Sequence, residues 1–385
     1  MQFSRRAIYN SDSRPIVNEI LAHIDNPHTL EDKTELFGRF LSIIVDEVDK
    51  KLDDFKLIIP HQFYEFMSAM DEKITERLSV KIDVTSTDKQ SLDLMQQICD
   101  DGFSMAANLQ DAEAIYLLPS NTEYVFIDLK YIPCLKDDIP FLTASYKCVA
   151  SPISDHKQVA SLYKAGFHHF CGNFVEKPKE ISSTAISPNK TAILNLLATL
   201  SDPDVELHKV NKLLVADPVL SYKILKIVNS PIYRGTTEIQ SVQDAVVRFG
   251  LQNLKKWVYM LSLCLLNDQN PTLLKLALQR GIMCQHLAIH RKVASPDPYY
   301  SAGLLSLLDV LLEKPIEKLL KKTQISNEIK LAILEHKGPI GEVLQIVKSY
   351  QNGNLDNTDP TLTQVFLESA QETNQLMRSL GLNNE

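Results

Sequence analysis

The sequence changes its pattern once, at about residue 180, and this change limits the folds that the chain can adopt. Before it, short runs rich in β-branched residues alternate with stretches of helical spacing; after it, the strand pattern disappears. Alternating strands and helices favour parallel βα units, whereas helices alone favour a separate helical domain. A chain of 385 residues is also long for a single hydrophobic core. The sequence therefore predicts two domains, α/β and then all-α.

The first part contains six strand-like runs. Predicted helices between them include residues 90–99 and 156–165, and Gly166 ends the second of these. A series of six or seven βα units predicts a TIM-type (β/α) barrel that is reduced from the usual eight units. The predicted strands cover residues 56–60, 79–84, 104–109, 123–129, 147–153 and 168–173.

The junction between the two parts is rich in turn-forming residues. Residues 177–190 (KPKEISSTAISPNK) contain two prolines and three serines without apolar periodicity. We therefore divide the chain into a barrel domain (1–180), a linker (181–190) and a helical domain (191–385).

Helix start and stop signals define the second part. Asp217 and Pro218 predict an N-cap and a first turn, and Ser241 with Asp244 predicts a capping box for a helix that ends at Gly250. The last thirty-odd residues predict one amphipathic helix. Further predicted helices cover residues 272–292, 301–312, 327–336 and 340–350.

Composition and charge argue against nucleic-acid binding and membrane insertion. Residues 1–180 carry 19 Lys/Arg and 29 Asp/Glu, whereas residues 181–385 carry 21 and 19. Without a basic excess, nucleic-acid binding is not expected. The amino terminus lacks the apolar core of a signal peptide, and the longest apolar stretch, residues 258–266, is too short for a membrane span. Six scattered cysteines indicate reduced thiols. We expect a cytoplasmic protein without membrane insertion.

Two consecutive motifs in the second part resemble the HDOD family. Residues 216–233 (ADPVLSYKILKIVNSPIY) are similar to its DP-x-L-S…N-S segment, and residues 239–258 (IQSVQDAVVRFGLQNLKKWV) are similar to the stretch that follows. The resemblance implies an all-helical fold related to HD phosphohydrolases. Catalytic relatives have Gly-Leu-Leu-His-Asp where this chain has Gly303-Leu304-Leu305-Ser306-Leu307. Serine and leucine cannot replace imidazole and carboxylate ligands, so no metal is expected there.

Two histidines in the second part are spaced for a common helix face. His286 and His290 lie four residues apart on a predicted helix, but they lack the glutamate of an HExxH arrangement. We interpret them as surface or core histidines rather than metal ligands.

The first part resembles the EAL domain of cyclic di-GMP phosphodiesterases. The matching segments are RRAIYN…NEIL (5–21), IDVT (82–85), FIDLKYI (126–132) and AGFHHFCGNFVEKP (165–178). An EAL domain followed by an HDOD domain is itself a known family architecture. Enzymes of the EAL family use two Mg²⁺ or Mn²⁺ ions to activate water against a phosphodiester.

The resemblance implies that most of the metal-binding side chains are missing. Glu19 and Asp128 match the family by identity, and Asp83 replaces a glutamate. Three scattered acids are too few for two metal ions, which need about twelve coordination sites. We therefore expect a degenerate EAL domain with no catalytic residues, no cofactor and no metal. The remaining family positions fall at His23, Pro60, Asn108-Leu109, Phe126-Ile127, Ser151, Ser154 and Cys171.

These observations predict a non-catalytic bacterial signalling protein. Its expected role is a protein-interaction scaffold or regulator in a network related to cyclic di-GMP, such as one for motility or biofilm formation, with other signalling proteins as partners. One alternative is a sensor that binds cyclic di-GMP or another nucleotide without cleaving it. Another is a residual cyclic di-GMP phosphodiesterase that uses Glu19 and Asp128.

Overall fold

The computed structural model describes two compact units. The first contains residues 1–177 together with residues 349–363, and the second contains residues 178–348 and 364–385. Most of the predicted linker, residues 181–186, lies outside the described part of the chain. The structure describes residues 2–23, 34, 37–38, 56–67, 70, 72–179, 187–202, 204–215, 217–231, 233, 239–266, 271–321, 323, 325–354, 359 and 361–379.

The first unit is built on a closed barrel of eight strands, in the order β1 to β8. β1 and β2 form an antiparallel hairpin, and each strand from β2 to β8 is parallel to the next one. β1 closes the barrel antiparallel to β8, with Tyr9 opposite Phe170. The strands are Gln2–Tyr9 (β1), Pro15–His23 (β2), Leu57–Pro60 (β3), Leu78–Val84 (β4), Ser104–Leu109 (β5), Thr122–Asp128 (β6), Lys147–Ile153 (β7) and His169–Gly172 (β8).

The fold class predicted from the sequence, a TIM-type barrel followed by an all-helical domain, is confirmed, and all six predicted strands are present. The expectation of a reduced barrel with six or seven units is wrong, because β1 and β2 complete a set of eight strands. Their turn is stabilised by Asn10, whose Oδ1 accepts hydrogen bonds from the backbone N–H groups of Asp12 and Arg14. Ser13 in this turn has a φ of 64°.

Short helices surround the barrel. Asp88 and Asp155 cap two of them by accepting hydrogen bonds from backbone N–H groups of the first turn. Gly166 follows the second of these helices with a φ of 102°, as its predicted role at the helix end requires. The α-helices are Tyr64–Met67 (α1), Glu72–Thr75 (α2), Lys89–Asp100 (α3), Ile139–Ser145 (α4) and His156–Lys164 (α5).

The two ends of the barrel differ in chemistry. At the amino ends of the parallel strands, the Glu123 carboxylate contacts Lys56, Lys147, Ser79 and Ser104. Polar contacts at this end of a TIM-type barrel stabilise the fold, whereas active sites lie at the carboxyl end. Between the ends, the interior is filled by a buried cluster of Ile8, Val17, Ile58, Ala106, Tyr124, Phe126, Val149 and Cys171.

The regular secondary structure among the described residues of the second unit is all helical. The predicted caps are confirmed: Asp217 accepts hydrogen bonds from the N–H groups of Val219 and Leu220, and Ser241 from that of Asp244. Gly250 interrupts one helix with a φ of 82°. None of the described helices is long and apolar enough to cross a membrane. The remaining α-helices in the described part of the chain are Pro188–Leu200 (α6), Leu207–Val215 (α7), Pro218–Val228 (α8), Val242–Leu266 (α9), Pro271–His290 (α10), Asp297–Leu305 (α11), Leu308–Leu312 (α12), Ile316–Lys321 (α13), Asn327–Glu335 (α14), Gly338–Gln351 (α15) and Thr361–Ser379 (α16).

Helices α10 and α11 cross closely at two glycines. A Cβ atom at Gly303 would lie 2.7 Å from the carbonyl oxygen of Arg280, and one at Gly281 would lie 3.0 Å from that of Tyr300. Both contacts involve the backbone, so a small rotation of a side chain cannot relieve them. This crossing fixes the position of Ser306, which immediately follows α11.

We expect Gly303→Ala to lower the free energy of unfolding by about 1–3 kcal/mol, because the added methyl group forces the two helices apart. Gly38→Ala is the matched control, since this exposed glycine has no atom within 4 Å of an added Cβ. Chemical denaturation of both variants measures the difference. Equal stability of Gly303→Ala and the unmodified protein would contradict the close crossing.

Candidate functional site

The carboxyl ends of strands β2 to β8 form the end of the barrel at which TIM-type active sites lie. Because β1 is antiparallel to β2, its amino end lies here too, with Gln2 opposite His23. The three acids singled out from the sequence belong to this half of the barrel. Glu19 is on β2, Asp83 is near the end of β4, and Asp128 is the last residue of β6.

Glu19 is completely buried and bound by two cations. Its Oε2 accepts hydrogen bonds from Nε and Nη2 of Arg6, at 3.0 and 2.7 Å. Its Oε1 contacts Nζ of Lys81 at 2.5 Å. Arg6 lies directly opposite Glu19 in the β1–β2 hairpin, and Lys81 points into the barrel from β4. Both carboxylate oxygens therefore have a cationic partner.

The two cations keep Glu19 charged in spite of its burial. Burial alone would raise the pKa of this carboxyl group, but the charges of Lys81 and Arg6 outweigh that effect and lower it below its usual value of 4.5. Lys81 also lies over the ring of Phe126, with Nζ 4.0 Å from the ring centroid. This cation–π contact stabilises the ammonium group inside the barrel.

Asp83 and Asp128 are more exposed and have other partners. Oδ1 of Asp83 accepts hydrogen bonds from the side-chain amides of Asn108 and Gln110, at 2.5 and 3.1 Å. Asp128 accepts a hydrogen bond from the backbone N–H of Lys130, whose Nζ lies 3.6 Å from the second carboxylate oxygen. Asp83 is two residues beyond Lys81 on β4, or about 7 Å along the strand.

Other family positions also lie at this end of the barrel. His23 ends β2, Pro60 ends β3, and Ser151 on β7 is opposite Asp128 on β6. Cys171 on β8 is buried, and burial raises the pKa of its thiol, while the charges of Arg6 and Glu19 act on it from nearby. Apart from Glu19, Asp83 and Asp128, none of the family positions assigned from the sequence carries a carboxylate.

The described residues do not fit a two-metal centre. No group of three or more His, Cys, Asp or Glu side chains in the described part of the chain is placed to hold a metal ion. Glu19 contacts two cations instead, and a divalent ion beside them would be repelled by their charges. The sequence analysis identified Glu19 but missed Arg6 and Lys81. The signal for Lys81 was present in residues 79–84, where Ser79, Lys81 and Asp83 alternate with apolar residues.

A segment from late in the chain packs onto the same end of the barrel. The backbone N–H of Phe3 donates to Oγ1 of Thr363 at 3.0 Å, and Oγ of Ser4 donates to the carbonyl oxygen of Tyr350 at 2.8 Å. A Cβ atom on Gly353 would lie only 2.4 Å from Cδ1 of Leu21. Tyr350, Gly353 and Thr363 therefore lie against the amino end of β1 and the last residues of β2.

In the second unit, Ser306 and Leu307 fall where the resemblance places the His-Asp dipeptide, and an arginine contacts Ser306. Arg280 on α10 is fully buried, and its Nη1 lies 3.3 Å from Oγ of Ser306. The Ser306 hydroxyl donates to the carbonyl oxygen of Gly303 at 2.7 Å. Burial lowers the pKa of His336, and the positive charges of Lys348 and Arg280 in this region lower it further. A cationic region of this kind disfavours a divalent metal.

His286 and His290 contact carboxylates of the last helix. Nε2 of His286 lies 3.0 Å from Oε2 of Glu372, and Nε2 of His290 lies 3.5 Å from Oε2 of Glu368. Burial would raise the pKa of Glu372, but His286 and Lys256 lower it to about 2. These two histidines therefore stabilise the docking of α16 within the second unit.

The family comparison identifies this second unit. Residues 187–329 match the family model described as the HDOD domain. The second unit contains an HDOD domain. The resemblance predicted for this part of the sequence is confirmed, and the chain has a closed barrel ahead of its HDOD domain.

Two curated proteins are similar to the chain. The uncharacterized protein YuxH of Bacillus subtilis is 28% identical over 278 residues, which is 69% of this chain and 67% of YuxH. The cyclic di-GMP phosphodiesterase CdgJ of Vibrio cholerae is 31% identical over 192 residues, or 49% of this chain. That match spans only 44% of the length of CdgJ.

Some solved structures are similar to parts of the chain. An HDOD domain protein of unknown function from Geobacter sulfurreducens covers 53% of this chain and 94% of its own, with 17% identity and a TM-score of 0.36. The PaMucR phosphodiesterase in complex with c-di-GMP covers 45% of this chain and 89% of its own, with 16% identity and a TM-score of 0.31.

We expect Glu19→Gln to lower the free energy of unfolding by about 3–5 kcal/mol at pH 7, because it leaves two cations in the barrel without a counter-charge. The pKa of Glu19 is lowered in the folded state, so its stabilising effect is complete above about pH 4.5 and is lost as the pH falls below that value. Denaturation of both proteins over a pH series should show the stability difference shrinking under acidic conditions.

The matched control for this experiment is Asp83→Asn, which removes a carboxylate that is exposed. We expect a change of less than about 1 kcal/mol for it at pH 7. If Glu19→Gln were as stable as the control at pH 7, Glu19 would not be the counter-ion of Arg6 and Lys81.

We expect Thr363→Val to destabilise the first unit by about 1–3 kcal/mol, because it leaves the buried N–H of Phe3 without an acceptor. Thr143→Val, whose hydroxyl bonds only within α4, is the control and should change stability by less than about 1 kcal/mol. Hydrogen exchange of the Phe3 amide provides a second measurement. Unchanged protection of this amide in Thr363→Val would rule out the contact.

Proposed function

We propose that this chain is a non-catalytic signalling protein that acts as an interaction scaffold or regulator in a network related to cyclic di-GMP. The observation that carries this proposal is the Glu19 ion pair. The carboxylate that resembles the signature metal ligand of EAL phosphodiesterases binds Arg6 and Lys81 through both of its oxygens. A metal ion would have to displace two cations from a buried site.

Three further observations support the proposal. Asp83 and Asp128 interact with neighbouring amides and with Lys130 rather than with each other. Residues 349–363 cover part of the barrel end at which a substrate would enter. In the HDOD domain, Ser306 and Leu307 fall where the resemblance places a metal-binding His-Asp pair, and the buried Arg280 contacts Ser306.

The comparison with CdgJ suggests a role in a signalling network related to cyclic di-GMP. CdgJ is named a cyclic di-GMP phosphodiesterase, and it matches this chain over about half of the chain's length. A chain with a barrel and an HDOD domain, whose described residues form no metal-binding cluster, still presents protein surfaces. Other signalling proteins are therefore the partners that we propose, and the function of this chain would be to bind them.

The test is a calorimetric titration with cyclic di-GMP in excess Mg²⁺ and Mn²⁺, followed by chromatography of the mixture. We expect no linear dinucleotide above the level of a protein-free control, because the carboxylates do not form a common metal site. Binding without product would instead favour a nucleotide sensor. Product that increases with time would overturn the proposal.

A matched pair of variants separates true turnover from contamination. Asp128→Asn changes an acid at the edge of the barrel without disturbing the buried ion pair, and Lys130→Gln changes its neighbour while keeping all three acids. Turnover lost in Asp128→Asn and kept in Lys130→Gln would show a residual phosphodiesterase in this chain. Turnover that is the same in both variants would indicate a contaminating enzyme.

A further inference from the structure

One exposed face of the HDOD domain combines apolar side chains with lysines. On α8, Val219 and Tyr222 are 55% and 67% exposed, although the opposite face of the helix is buried through Leu220 and Ile224. Two lysines follow on the same side of α8, since Lys223, which is half-buried, and Lys226 lie four and seven residues after Val219. They form one continuous stripe along two turns of α8.

The neighbouring helix extends this face. α7 packs against α8, and the hydroxyl of Ser221 donates to the carbonyl oxygen of Leu214 at the end of α7. The exposed residues of α7 again combine one apolar side chain with lysines. We define the α7–α8 surface as Lys209, Lys212, Leu213, Val219, Tyr222, Lys223 and Lys226.

The charge of this surface contrasts with that of the whole chain. Residues 209–226 contain four lysines and one acid, whereas the chain as a whole has a net charge of −8. The acid, Asp217, accepts hydrogen bonds from two backbone N–H groups at the start of α8, and its charge compensates that helix end. The α7–α8 surface is therefore a local concentration of positive charge around exposed apolar groups.

A second lysine-rich segment lacks this combination. Residues 314–321 include Lys314, Lys318 and Lys321, but Glu313 and Glu317 alternate with them, and the large apolar residues Leu319 and Leu320 are buried. Lys322, which belongs to the same run in the sequence, lies outside the described residues. The exposed side of α13, which lies within this segment, is thus an ordinary solvated helix face. It serves as a natural control.

We propose that the α7–α8 surface binds an acidic, amphipathic segment of a partner protein. Carboxylates of the partner would pair with the lysines, and its apolar side chains would cover Tyr222 and Val219. Tyrosine at the centre of a charged rim is a frequent anchor of protein interfaces. This inference rests on the proposed function and names the chemistry of the partner.

Two other classes of ligand fit the surface less well. A nucleic acid would require a broader basic face, and the chain is acidic overall. A membrane surface would require a large apolar face that can insert, but the main apolar face of α8 is already buried in the domain core. Leu213, Val219 and Tyr222 together expose a small apolar area, which a short protein segment can cover.

The test uses the full-length protein and a fluorescein-labelled synthetic peptide of about 18 residues, with leucine on one helical face and glutamate elsewhere. We expect saturable binding by fluorescence anisotropy at about 0.15 M salt. A peptide of the same composition in scrambled order should bind at least about fivefold more weakly, because its apolar face is lost. Equal binding of the two peptides, or no binding, would overturn the proposal.

Variants locate the binding site. We expect Tyr222→Ala to weaken binding at least about fivefold and the double variant K223E/K226E at least about tenfold, since the second reverses charge in the contact. The matched control K318E/K321E makes the same charge change on α13 and should leave affinity within about twofold. Equal losses in the two double variants would show a general charge effect and would refute the α7–α8 site.

Two further probes decide the class of ligand. Single-stranded DNA and vesicles of phosphatidylglycerol should bind without sensitivity to Tyr222→Ala, or not at all. Tyr222-dependent binding that is tighter to either probe than to the acidic peptide would overturn the proposal. Failure here is separable from failure of the proposed function, because the latter is decided by cleavage of cyclic di-GMP and does not involve the α7–α8 surface.

Discussion

A single buried carboxylate with two cations determines what the barrel of this protein can do. Glu19 is held by Arg6 from the neighbouring strand and by Lys81 from β4, so three strands are joined across the barrel interior by charge. Such a group is stable only while all its members are present, because each would otherwise be an uncompensated charge in a poorly solvated space. An acid that would bind a metal ion in an EAL enzyme thereby becomes part of the barrel's internal packing.

A buried protein cation is also found in the second unit. Arg280 is completely buried beside Ser306, at the place where a catalytic relative would have its His-Asp pair. In both units a positive side chain lies where a divalent cation would be expected from the resemblance. A protein cation supplies charge without open coordination positions, whereas a metal ion that activates water needs such a position.

Much of this architecture could be predicted from the sequence, and the failures have physical causes. The six central strands and the Asp217 cap depend on local patterns, which the sequence displays directly. The β1–β2 hairpin was missed because its alternation is interrupted by arginines, and one of these, Arg6, is the partner of Glu19. The partners of His286 were equally hidden, since Glu372 is 86 residues away and only tertiary packing brings the two together.

The attachment of residues 349–363 to β1 has a consequence for how the chain folds. Phe3 bonds to Thr363 across a separation of 360 residues, so the first unit includes segments from near both ends of the described chain. During synthesis, the intervening HDOD helices are made before Tyr350 and Thr363, so the contacts of these two residues with the amino end of β1 form last. Contacts of such long range slow folding, because the intervening chain must first be ordered. A fragment cut after residue 177 would accordingly lack Thr363, the acceptor for the buried N–H of Phe3, and would lose the stabilisation that this hydrogen bond provides.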